Sequence, residues 1–91
     1  MFVIVSYDIQ DDKRRTKIHK ALKSYGEWVQ YSVFECPLEK KDYLRLRDRL
    51  DRLIDKKAGD NIRFYFLCDG CVGRVERIGG APPLDEPAIF V

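Results

Sequence analysis

The chain reads as an α+β domain: an antiparallel sheet with two helices on one face. Three observations predict this class. Segments rich in β-branched and aromatic residues recur at 2–7, 27–36 and 61–68. Between them lie two segments whose apolar residues repeat at spacings of three and four. Their order is β-α-β-β-α-β, followed by a further strand-like segment over Val72–Ile78. This is the split βαβ, or ferredoxin-like, arrangement. With 91 residues there is room for one domain, here 1–78, and a tail over 79–91.

Residues 2–7 (FVIVSY) form the first strand. Phe2, Ile4 and Ser6 point one way, and Val3, Val5 and Tyr7 the other. Both faces are largely apolar, so both need cover. Asp11 or Asp12 caps a helix that runs to about Tyr25, with Ile18, Ala21, Leu22 and Tyr25 on its apolar face and Gly26 as its stop. Residues 27–36 (EWVQYSVFEC) return to strand chemistry, as one strand or two short ones, and Pro37 closes them. A second helix is expected over Glu39–Lys57, from the spacing of Tyr43, Leu46, Leu50, Leu53 and Ile54. Gly59-Asp60 is a turn, and 61–68 (NIRFYFLC) a strand. The tail has four Gly and Pro residues in its first five and reads as irregular.

Two helices cover only one face of a sheet. The second face therefore calls for another cover. A second copy of the chain is the simplest, which predicts a homodimer. A tail folded back over the sheet is the alternative.

Composition excludes several classes. The longest apolar run, Met1–Val5, is far short of the ~20 residues of a membrane span. No basic segment precedes it, so no secretory leader is expected and the expected location is cytoplasmic. Three cysteines, an odd number, argue against a disulfide framework. Cys68 and Cys71 form a C-x-x-C, but Cys36 and His19 are not spaced to complete a zinc site. Cys68 reads as a strand-end residue, Cys71 as a loop residue and His19 as a surface residue. There is no phosphate-cradling glycine loop and no Ser/His/Asp arrangement.

Asp8 is the most informative residue. It ends an apolar strand just before a helix. It reads either as a helix-entry aspartate or as a ligand for a hard divalent cation. Mg²⁺ typically takes only one or two carboxylates, with waters and phosphate oxygens completing the shell. In a symmetric dimer, two Asp8 side chains could share one ion. Asp11 and Asp12 are better explained as caps and first-turn acids.

The net charge of +2 identifies no partner by itself. Its distribution says more. Residues 10–25 carry six Lys and Arg against two Asp, and those acids are confined to the first turn. This cluster reads as a phosphate-contacting surface. In the second helix acids and bases interleave, as in ordinary helix ion pairs. Trp28, Tyr31 and Phe34 alternate with polar residues. They read mostly as core or dimer-interface side chains, one of which could stack on a base.

The strand-end YDI at Tyr7-Asp8-Ile9, the DDKRRTK at 11–17 and the QYSVFEC at 30–36, in this order and spacing, resemble the small CRISPR-associated endoribonuclease family. This is Cas-two, the small core protein of CRISPR adaptation. The RFYFLC at 63–68 fits its later strand, and the resemblance covers about 1–78. It implies a ferredoxin-like homodimer whose final strand packs on the partner's sheet. It implies work with the CRISPR integrase during spacer acquisition. Several members are metal-dependent nucleases on single-stranded RNA or duplex DNA, and others are scaffolds bridging integrase dimers.

Carried over by position, Asp8 matches the family's metal-site aspartate, preceded by Tyr7. The implied cofactor is one Mg²⁺, or Mn²⁺, shared by the Asp8 residues of two protomers. Arg15 matches the arginine expected on phosphate, and Lys17 stands where a second basic residue often lies, without the bidentate fork of Arg. Lys13 and Arg14 complete the expected nucleic-acid-binding set. Ser32 and Phe34 match the block near the dimer centre, with Ser32 placed to hold a water or phosphate oxygen. Trp28 stands where some members carry a basic residue. The catalytic set implied is Asp8, Arg15 and Ser32, with Tyr7 and Phe34 in support. Two other functions fit the fold: a non-catalytic DNA-binding adaptor, and a small-molecule regulatory module, which the basic first helix disfavours. An RNA-recognition module is disfavoured because FYFLC lacks the element that precedes it in such domains.

Overall fold

The computed structural model describes residues 1–79. All but Gly79 of the expected 79–91 tail lies outside the described residues. The elements are β1 (Phe2–Asp8), α1 (Asp12–Lys23), β2 (Glu27–Gln30), β3 (Val33–Pro37), α2 (Lys40–Leu53), a 3-10 turn (Lys56–Ala58), β4 (Asn61–Leu67) and a short α3 (Asp69–Val72). The sheet order is β2-β3-β1-β4, and every pairing is antiparallel. This is the ferredoxin-like α+β fold that the element order predicts.

The central strand sorts the molecule into two faces. Val3, Val5 and Tyr7 are buried, while Phe2, Ile4 and Ser6 are only half-buried. The buried set meets Ile18, Ala21 and Leu22 of α1, Phe34 and Cys36 of β3, and Leu46 and Leu50 of α2. The register continues both faces across the sheet. Val5 pairs with Phe34 and Phe64, whereas Ile4 pairs with Glu35 and Tyr65. Phe34 is wholly buried, so its truncation to Ala removes about 3–5 kcal/mol. Burial also pushes the Cys36 thiol up to about 12, helped by the Glu35 charge, which leaves it protonated and inert.

Several boundaries differ from the sequence reading. The segment 27–36 takes the two-strand form of the two expected, with the two-residue turn Tyr31–Ser32 between the strands and Pro37 included in the second. Helix α1 starts on an Asp11 cap, whose carboxylate accepts from the Arg14 N–H at 2.9 Å. It ends at Lys23 with Ser24 as its C-cap, short of the expected Tyr25. Gly26 is not in the left-handed region and is not a helix stop in that sense. It sits where any Cβ would collide with the Glu35 carbonyl oxygen and the Cys36 sulfur. Its role is close approach of the α1–β2 connection to β3.

Helix α2 stops at Leu53, four residues before the expected Lys57. Asp55 causes the early exit. Its carboxylate accepts from the Lys57 and Ala58 N–H groups at 3.1 and 3.3 Å and starts a 3-10 turn. Gly59 closes that turn at φ 89°, a conformation glycine adopts freely.

The strand expected over Val72–Ile78 is not part of this sheet. Asp69–Val72 instead forms a helical turn opened by Cys68, whose sulfur accepts from the Cys71 N–H. The glycines at 70 and 73 weaken a strand here, and Val72 docks into a buried position. Beyond it, the Arg77 guanidinium pairs with Glu35. Glu35 belongs to the face not covered by helices, so the segment after α3 lies over part of that face. This segment precedes the 79–91 tail named as one of the two expected covers, and that tail lies outside the described residues but for Gly79.

Gly26→Ala should lower stability by about 1–3 kcal/mol, because β3 backbone must shift to admit the methyl group. A denaturant midpoint unchanged from the native protein would show that the approach is looser than described.

Candidate nucleic-acid interface and metal carboxylate

Asp8 is exposed at the end of β1, opposite Asn61 of β4. By strand alternation it shares the face of Ser6, Ile4 and Phe2. Tyr7, one residue earlier, faces the helices. The two neighbours that read as one motif in sequence therefore serve opposite sides of the sheet.

Tyr7 leads into a groove of about 430 Å³ at the sheet rim. Arg15, Thr16, His19, Lys20 and Lys23 of α1 line one wall. Tyr31 and Ser32 of the β2–β3 turn line the other. The Tyr7 N–H donates to the Ser32 carbonyl at 3.1 Å, which ties the turn to β1. The Tyr7 hydroxyl meets His19 Nδ1 at 3.2 Å. Burial pushes that hydroxyl above its ordinary pKa, while a hydrogen bond from the Ser32 side chain and the Arg15 charge pull it partly back. His19 is not the surface residue expected. It is half-buried and packs edge-on against Phe34 at 5.1 Å.

The basic residues of α1 divide by partner. Arg15 donates to the Ile9 carbonyl at 2.9 Å and pairs with Asp12, which fixes its guanidinium over the β1–α1 loop. Lys13 and Lys17 are exposed. Arg14, expected on phosphate, has another task. Its Nε donates at 2.7 Å to Asp60, a carboxylate with no exposed surface. Asp60 also accepts from the Asp55 N–H at 2.9 Å. The Arg14 hydrogen bond, then that of Asp55, holds the Asp60 carboxyl below its usual range. Arg14 thus locks α1 to the α2–β4 connection.

Phe34 takes the core place, one of the two expected of it. It packs under Tyr7 and His19 in the intramolecular core and presents no surface to a partner. It supports the groove from below. The α2 charges pair locally, as in Arg52–Asp48 at 2.7 Å between exposed side chains. Such a pair contributes only about 0.3–0.5 kcal/mol.

At the β1–α1 rim, the acids of the described residues are Asp8, Asp11 and Asp12, and the carboxylate left to a divalent cation there is that of Asp8. Asp11 and Asp12 are engaged by the Arg14 N–H and by Arg15. No group of three potential ligands comes together among the described residues. The donor set fits an ion only if a second Asp8 and non-protein oxygens complete it. Cys68 and Cys71 lie together on α3, and their hydrogen bond holds the Cys68 thiol below and the Cys71 thiol above the ordinary value.

The chain matches the family described as CRISPR associated protein Cas2 over residues 1–75. It belongs to the Cas2 family. It is 51% identical over 83 residues to a CRISPR-associated endoribonuclease Cas2 of Chloroflexus aurantiacus, covering 91% of this chain and 89% of that one. It resembles the crystal structure of Streptococcus pyogenes Cas2 at pH 6.5, with TM-score 0.75 and 38% identity over 87% of this chain and all of that one. It also resembles a chain of a partial Cas6-RT-Cas1–Cas2 complex, with TM-score 0.70 and 33% identity over 85% of this chain and 89% of that one. Among the described residues, no helix is long and apolar enough to cross a membrane.

Sequence reasoning singled out Tyr7, Arg15 and Ser32, and the fold brings these three together. It had Lys20 and Lys23 in the basic cluster of the first helix and missed Thr16 and His19 beside them as groove residues. Their spacing of three and four places them on one face of α1, and that much was legible. That this face meets the 31–32 turn was not.

Asp60 contributes stability when ionised. Its lowered pKa means that this contribution is present above the ordinary carboxylate pKa of about 3.9 and is lost as pH falls through the lower folded-state value. Asp60→Asn should destabilise the protein at neutral pH and flatten the acid side of its stability profile. Parallel profiles for the two proteins across the acid range would remove Asp60 as the source.

Proposed function

We propose that this Cas2-family chain is a homodimeric, metal-dependent endonuclease of CRISPR spacer acquisition, cutting phosphodiester bonds in single-stranded RNA or duplex DNA beside the CRISPR integrase in the cytoplasm. One observation carries the reading. The β1–α1 connection presents an exposed carboxylate, Asp8, on the same rim where Arg15 is pinned by the Ile9 carbonyl. The relatives named as endoribonucleases support the same activity.

The Asp8 carboxylates of two protomers would hold the Mg²⁺ or Mn²⁺, which when bound polarises a phosphate oxygen and acidifies its water. The remaining chemistry belongs to the chain itself. Arg15 already has its side chain oriented before substrate arrives, so little rotamer freedom is lost on phosphate binding. Its guanidinium offsets charge that develops on the phosphate. Ser32 can hold a phosphate oxygen or a water. Lys13 and Lys17 add long-range attraction for the backbone. A second reading, a scaffold on the integrase without cleavage, is favoured by the likeness to a chain solved within a Cas1–Cas2 complex.

The test compares the native protein with Asp8→Ala, in Mg²⁺ and in chelator, on single-stranded RNA and duplex DNA. Cleavage should fall by about 100-fold or more in the variant and in chelator, with the folded dimer retained. Equal cutting by both proteins would place the activity elsewhere. No cutting by either, with duplex binding that weakens steeply with salt, would make the chain a scaffold.

A further inference from the structure

The groove between α1 and the β2–β3 turn holds an aromatic residue that folding does not explain. Tyr31 is 86% exposed, so it contributes little to the core. It sits first in a two-residue hairpin turn with φ at 42°. Glycine ordinarily takes such a place, and a bulky side chain there is strained. The turn is nonetheless held firmly. Trp28 Nε1–H donates to the Tyr31 carbonyl at 2.8 Å, and the Tyr7 N–H holds the carbonyl of Ser32.

An aromatic ring is thus displayed on a rigid turn at the edge of a basic groove. Arg15, Lys20 and Lys23 line that groove, and its lining includes no carboxylate among the described residues. Cations on one wall suit phosphates, and a projecting ring on the other suits the flat face of a base. A duplex keeps its bases stacked on each other and offers that ring nothing. A single strand offers a base to the ring and a phosphate to the wall together.

We propose that this groove binds single-stranded nucleic acid, with an unstacked base on the Tyr31 ring and neighbouring phosphates on Lys20 and Lys23. The groove shares Arg15 and Ser32 with the proposed cleavage site, and Tyr31, Lys20 and Lys23 extend it away from Asp8, whose strand position faces the other side of the sheet. The inference rests on the reading of the chain as a protein that acts on nucleic acid. It names the form of nucleic acid the groove selects.

Binding is measured in chelator, so it does not depend on cleavage at Asp8. The probes are labelled oligouridylate as a single strand, and the same strand annealed to oligoadenylate. Trp28, the only tryptophan, neighbours the turn and gives a second signal through its fluorescence. Tyr31→Ala and Tyr31→Gly should weaken single-strand binding about ten-fold or more, and Tyr31→Phe should keep it. Tyr31→Gly should leave thermal stability at or above the native level, because glycine relieves the turn. Duplex binding should not change in any of the three. Lys20→Ala should reduce the single-strand salt slope by about 0.7. Single-strand affinity unaltered by Tyr31→Ala and Tyr31→Gly would overturn the proposal, as would an equal loss for strand and duplex. Either result leaves the Asp8 cleavage test standing on its own.

Discussion

The two-residue period of β1 is the constraint on which the rest of the molecule depends. β1 lies between β3 and β4, so its alternation passes to both neighbours through the register. Val3, Val5 and Tyr7 set the face that α1 and α2 cover. Phe2, Ile4, Ser6 and Asp8 set the other. A one-residue slip would exchange the two sets and put Asp8 among the helices. The placement of the candidate metal carboxylate and of the basic groove therefore follows from the same geometric rule that buries the core.

That rule also gives the charged residues their separate tasks. Arg14 and Arg15 are adjacent on α1, yet they point to different partners. A helix turns by about 100° per residue, so Arg14 reaches Asp60 while Arg15 reaches back over the β1–α1 loop. A buried carboxylate must be paired and hydrogen-bonded, and Asp60 takes Arg14 for that purpose. Lys20 and Lys23, two turns later, line the groove instead. The basic cluster of the first helix is thus one structural anchor, one fixed guanidinium and a set of free cations.

The face not covered by helices carries a different balance. Glu35 is central on it and nearly buried, and Arg77 pairs with it from beyond α3. Arg63, Glu27 and Asp8 stand on the same face by register, but the carboxylate at its centre is neutralised, so cover over Glu35 need not desolvate a lone charge. Tyr65 remains about half exposed on the same face.

The sequence by itself determined the element order, the two faces of β1, an aspartate cap at 11 or 12, the glycine turn at 59 and the family, because each rests on local periodicity, turn chemistry or a short motif. It also pointed to Tyr7, Asp8, Arg15 and Ser32. It placed the end of α2 too late and read a strand over 72–78, because helix and strand propensities there are weak and side-chain caps from Asp55 and Cys68 decide the outcome. Only the tertiary structure decided that Arg14 belongs to Asp60, that Phe34 is sealed in the core, that His19 meets Tyr7, and that Tyr31 stands across a groove from Lys20 and Lys23. These pairs join residues 8 to 46 positions apart in the chain. No local pattern encodes them, because they exist only once the central strand has fixed where the helix and the hairpin turn lie.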